Sequence, residues 1–87
     1  MNERVLKVLI EAGAVKKLRI IADSSRFYIE IDTPAGTVTA STVKGAVKTW
    51  ATLDAAAKWI RKLGIGQSTL DIARWQPDHK GLALSVS

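Results

Sequence analysis

A chain of 87 residues supports one hydrophobic core burying roughly two-thirds of the unfolded surface, so a single domain is expected and a deep internal active site is not. Thirteen Lys plus Arg against eight Asp plus Glu give a formal net charge of +5, which favours an anionic partner (DNA, RNA or an acidic protein surface) without fixing a fold. The absence of cysteine excludes disulfides, thiolate catalysis and cysteine-held metals. It also suits a reducing cytoplasm, and the apolar run after Met1, broken by Lys7 and Glu11, is too short for a membrane span or a signal-peptide core.

Residues 2–12 read as a helix, with Val5, Leu6, Leu9 and Ile10 on the buried side, Glu3, Lys7 and Glu11 spaced four apart on the exposed side, and Gly13 at the end. From Val15 the period changes to two. Leu18, Ile20 and Ala22 alternate with Lys17, Arg19 and Ile21 in a half-buried strand, and the polar turn Asp23-Ser24-Ser25 leads into a second strand, Arg26 to Ile31, with Phe27, Ile29 and Ile31 inward. Asp32-Thr33-Pro34-Ala35-Gly36 supplies the next turn. A third strand, rich in Thr and Ser, runs from Thr37 to about Val43 with Val38 and Ala40 inward, and Lys44-Gly45 closes a turn into a short fourth strand, Ala46 to Trp50.

The best-defined element follows. Thr52 is placed as N-cap, Asp54 stands at the positive end of the helix dipole, and Gly64 can take a left-handed conformation past the last turn. Leu53, Ala56, Ile60 and Leu63 share one stripe with Trp59 on its flank, while Lys58, Arg61 and Lys62 point elsewhere. Thr69 to Trp75 is a fifth strand with Leu70 and Ile72 inward, stopped by Pro77. The expected architecture is a two-layer α+β domain over residues 1–76, in the order α-β-β-β-β-α-β. An antiparallel four- to five-stranded meander has spatial order 5-1-2-3-4, two helices cover one face, and 77–87 form an extended or flexible tail.

Catalysis finds no constellation. His79 is the only histidine, it stands in Asp78-His79-Lys80 near the C-terminus, and no nucleophile or ligand cluster accompanies it. Gly64-Ile65-Gly66 follows a helix instead of opening one, so it lacks the phosphate-cradling arrangement. No enzyme activity, cofactor or metal is expected. Binding has better material: Lys17 and Arg19 project from one strand face, Tyr28 joins them from the next strand, and Lys58, Arg61 and Lys62 form a second basic patch on the helix. The two patches are expected on opposite sides of the domain. Trp50 and Trp75 either meet as a packing cluster or, if exposed, mark a protein interface.

The helix, meander, helix order resembles the double-stranded-RNA-binding domain, except that the basic residues fall in the second half of the helix. A fuller resemblance is carried by Ala14-Val15-Lys16-Lys17, Arg26-Phe27-Tyr28-Ile29-Glu30, Trp50-Ala51-Thr52-Leu53-Asp54-Ala55-Ala56-Ala57-Lys58-Trp59-Ile60, Leu63-Gly64-Ile65-Gly66 and Ala73-Arg74-Trp75-Gln76-Pro77. Read together, these stretches resemble the small ParC-family partition-associated proteins of plasmids and integrated mobile elements, which are distinct from the topoisomerase subunit of that name. The resemblance implies an accessory part in plasmid segregation beside a ParA-type ATPase and a ParB-type centromere-binding protein, and it brings no catalytic residues. The expectation is therefore a non-enzymatic, cytoplasmic protein that binds DNA or a partition protein; the alternative is an interaction adaptor or homodimer without nucleic-acid binding.

Overall fold

The computed structural model describes residues 1–76, in the order α1 (Glu3–Glu11), β1 (Lys17–Ser24), β2 (Arg26–Thr33), β3 (Gly36–Thr39), α2 (Leu53–Lys62) and β4 (Thr69–Trp75). His79 and the expected tail, 77–87, lie outside the described residues. The sheet order is β3-β2-β1-β4. β1 pairs antiparallel with β2, and β2 with β3, but β1 and β4 run parallel, so the sheet is mixed.

The alternating residues of the first hairpin behave as their period dictates. Leu18, Ile20, Ala22, Phe27, Ile29 and Ile31 are all buried on one face, where Leu6 of α1 and Ala56, Trp59, Ile60 and Leu63 around α2 join them in one core. Both helices therefore cover the same face. α1 is capped by Asn2, whose side chain accepts the Val5 N–H at 3.0 Å, and its contact stripe runs through Leu6, with Leu9 and Ile10 half-buried. Val5, expected on the buried side, sits one position off that stripe and is 45 % exposed. α2 starts where Thr52 accepts the Ala55 N–H at 3.1 Å and ends at Gly64, whose φ of +92° suits a residue without Cβ.

The meander departs from expectation after Thr39. Residues 46–50 form no fourth strand, and only isolated bridges link Ser41 to Val47 and Phe27 to Trp50. A tight excursion closes where the Thr42 N–H meets the Ala46 carbonyl at 2.7 Å, and the Lys48 N–H returns to the Ala40 carbonyl at 3.0 Å. Trp50 then exchanges two 2.9 Å hydrogen bonds with Phe27, continuing the edge that β3 began beside β2. The physical reason is a shortage of burial: Val43 and Val47, the large apolar residues available to anchor such a strand, are 89 % and 54 % exposed.

The missing strand also reverses the last one. With no fourth strand to carry the chain back, α2 begins at the Phe27 end of β2 and crosses the sheet in the opposite sense to that expected. β4 therefore lies parallel to β1, a pairing that needs such a crossover helix. Leu70 and Ile72, expected inward, are on the helix side by register with Ile20, but α2 sits over β2 and leaves them 45 % and 51 % exposed. Among the described residues no helix is long and apolar enough to cross a membrane.

Candidate nucleic-acid interface

Strand parity decides where the charge lies. The helix-free face of the sheet carries Lys17, Arg19, Arg26 and Arg74 against Asp23, Glu30, Asp32 and Asp71, and the register sets opposite charges side by side: Lys17 beside Asp32, Arg19 beside Glu30, and Asp23 between Arg26 and Arg74. Four cations thus face four carboxylates, and the face is neutral. Asp78 and Lys80, beyond the described residues, also cancel. The whole net charge of +5 therefore belongs to the helices and connections, where Arg4, Lys7, Lys16, Lys44, Lys48, Lys58, Arg61 and Lys62 outnumber Glu3, Glu11 and Asp54.

The expected phosphate contact at Arg19 is occupied. Its guanidinium grips Asp32 through both oxygens at 2.8 and 3.0 Å and reaches Glu30 at 3.1 Å, a forked geometry that suits arginine. Those bonds raise the Arg19 pKa further above its ordinary value, and the Arg19 and Thr37 hydrogen bonds hold the Asp32 carboxyl below its own. Tyr28 is half-buried, and its hydroxyl accepts from Arg74 at 2.9 Å. Arg74 also lies 3.6 Å from Asp23. Lys17 is exposed and stands beside Asp32 in the register. The strand-face patch is a set of internal ion pairs and not a surplus of positive charge.

On the helix layer the charges converge on Glu3. Its carboxylate accepts the Trp59 indole N–H at 2.9 Å and lies 3.8 Å from the Lys7 ammonium. The indole hydrogen bond is the chief cause of a Glu3 pKa below the ordinary carboxylate value; partial burial opposes it, and Lys62, Lys7 and Lys48 add to it. Trp59 packs on Trp50 with ring centroids 5.1 Å apart, and the Lys48 ammonium stands 5.5 Å over the Trp50 ring, within cation–π range. Lys58 lies one helical turn before Lys62 and shares its side of α2. Arg61 occupies another flank, over Ala57, Ile65 and Gly66.

The expected residues fall on two sides of the sheet: Lys58, Arg61 and Lys62 on the helix layer, and Lys17, Arg19 and Tyr28 on the helix-free face. Trp50 and Trp75 do not meet, since Trp75 packs on Phe27 at 6.2 Å. Lys7, Lys48, Glu3 and Trp59 were not legible as members. The spacing of Lys48 and Trp50 was the available signal, whereas the Glu3–Trp59 bond spans 56 residues and leaves no local trace. Chemically, mobile ammonium groups beside a half-buried aromatic offer point-charge contacts to phosphate or acidic side chains. Among the described residues no group of three or more His, Asp or Glu can hold a metal ion. No protein-family model, curated protein or solved structure matches the chain.

Proposed function

We propose that this chain is a non-enzymatic accessory protein of plasmid or mobile-element partition that binds DNA through its helix layer. The observation that carries the binding reading is charge segregation: the sheet face is internally neutralised, and the surplus of +5 lies off that face, on the helices and connections, with Lys7, Lys48, Lys58 and Lys62 among its cations. Such a surplus attracts a polyanion and releases its counterions, whatever the base sequence. The partition setting rests on the ParC-family resemblance, which also supplies the second class of partner, a ParA-type ATPase or a ParB-type protein.

The test is the salt dependence of duplex binding, followed by fluorescence anisotropy. Four phosphate contacts give a slope of log K against log salt near −3.6, and Lys58→Ala with Lys62→Ala reduces its magnitude by about 1.8. Lys17→Ala leaves it unchanged. A protein that binds no DNA near ~50 mM salt but captures a ParA- or ParB-type protein overturns the DNA reading in favour of an adaptor, and an equal loss from Lys17→Ala overturns the assignment to the helix layer.

A further inference from the structure

Among the described residues the sheet ends at β4, and all seven residues of that strand are exposed. Leu70, Ile72 and Trp75 line one side of an open groove of about 390 Å³ whose other wall includes Phe27 and Leu53. Leu53 is 38 % exposed and Trp75 41 %. An edge strand with an apolar flank is a surface for strand addition, and soluble proteins ordinarily cover or charge such edges.

β4 also contains a local irregularity that selects its partner. Asp71 pairs with Ile21 and Arg74 with Asp23, so Ile72 and Ala73 together oppose the single residue Ala22. Asp71 fixes this bulge by accepting the Ala73 N–H at 2.9 Å. Across the bulge the side-chain alternation shifts by one. Leu70, paired with Ile20, and Trp75, paired with Ser24, both come to the helix side; Asp71 and Arg74 both come to the helix-free side.

We propose that β4 is a homodimer interface, pairing antiparallel with β4 of a second copy about a two-fold axis perpendicular to the sheet, with Asp71 opposite the second copy's Arg74 and Leu70 opposite its Trp75. Such an axis keeps every side chain on its own face, so opposed residues must share a face. A regular strand then opposes only residues separated by an even number. Asp71 and Arg74, and Leu70 and Trp75, are separated by odd numbers, and only the bulge lets them meet. The register it permits repeats two opposite-charge pairs and two apolar pairs, with Ile72 and Ala73 at the axis. Arg74 has donors to spare beyond Tyr28, and its side chain is 60 % exposed. Like charges never face one another in this register, which is the complementarity an isologous contact requires.

Sedimentation velocity of the full chain, from about 1 µM to about 1 mM to cover a weak equilibrium, reads the outcome directly. The expected species at the upper end has twice the monomer mass of 9.4 kDa. Leu70→Lys, at an exposed position that bears no hydrogen-bonded side chain, returns it to monomer without loss of circular-dichroism signal. Arg74→Glu, which sets a carboxylate opposite the second copy's Asp71 and leaves the Asp71-held bulge in place, does the same. A wild-type chain that stays monomeric throughout, leaving the edge to residues 77–87 or to an unlike partner, overturns the proposal. So does a folded Leu70→Lys or Arg74→Glu variant that still dimerises. None of these readouts depends on DNA, so the interface and the helix-layer reading fail separately.

Discussion

Glu3 connects the stability of the helix layer to its charge, and two substitutions separate those roles. Its carboxylate accepts the Trp59 indole N–H at 2.9 Å and is 36 % exposed. Glu3→Ala removes the acceptor and leaves a part-buried indole N–H without it, a loss of about 1–3 kcal/mol; the first-turn charge on α1 adds a few tenths more. A loss near 2 kcal/mol lowers Tm by about 8–16 °C in a domain of this size. Glu3→Gln keeps an oxygen in place. It loses only the excess of a charge-assisted hydrogen bond over a neutral one, about 1 kcal/mol before solvent screening and roughly half that at a site more than a third exposed, for a Tm change of about 2–4 °C. The sign with pH follows from the lowered folded-state pKa. Glu3 binds its proton more readily unfolded than folded, so its charge stabilises the fold above the ordinary carboxylate value and the benefit vanishes as pH falls through the lowered one. Thermal melts from neutral to strongly acidic pH should therefore show wild type and Glu3→Gln converging on acidification. A difference independent of pH, or a Glu3→Gln variant as unstable as Glu3→Ala, refutes the indole–carboxylate account.

Asp32 offers the same test on the other face: Arg19 and Thr37 hold its carboxyl below the ordinary value, so Asp32→Asn should lose stability near neutral pH and lose less as pH falls through that lowered value, read by chemical denaturation across the acid range. Thr52→Ala removes the α2 cap and should cost about 1 kcal/mol, a Tm decrease of about 4–8 °C, measured by differential scanning calorimetry; Thr52→Ser should retain most of it.

What the sequence disclosed follows the range of the interaction responsible. β1, β2 and α2 were legible because their signals are local: two-residue alternation through Leu18, Ile20 and Ala22 and through Phe27, Ile29 and Ile31, and a cap and a glycine bracketing α2. The fate of 41–50 was not legible, because turn chemistry at Lys44-Gly45 looks the same whether the chain adds a strand or rejoins an existing edge. The decision belongs to Trp50, which finds Phe27 across the sheet and Trp59 above it. That one choice reversed β4 against β1. The site suffered likewise: Lys17 and Arg19 read as basic until the carboxylates of β2, thirteen or more positions away from Lys17, were seen to be their neighbours.

Charge segregation and the β4 edge are coupled by symmetry. A two-fold axis perpendicular to the sheet leaves the helix layers of both copies on one side, so pairing through β4 would join two neutral faces into one continuous neutral face and bring two basic helix layers onto one surface. With strands about 4.8 Å apart, β2 and its symmetry mate are five intervals, roughly 24 Å, from each other, and α2 sits over each. If the helix layer binds a polyanion as proposed, two such layers held that close would bind it as a unit, the second contact being made at high effective concentration once the first has formed. On the two proposals together, mutual repulsion between the layers would oppose the dimer in the absence of a polyanion and be relieved by one, so DNA and β4 pairing would reinforce each other by thermodynamic linkage. In the proposed dimer the bulge fixed by Asp71 would set the register in which the basic surfaces of two copies come to one side.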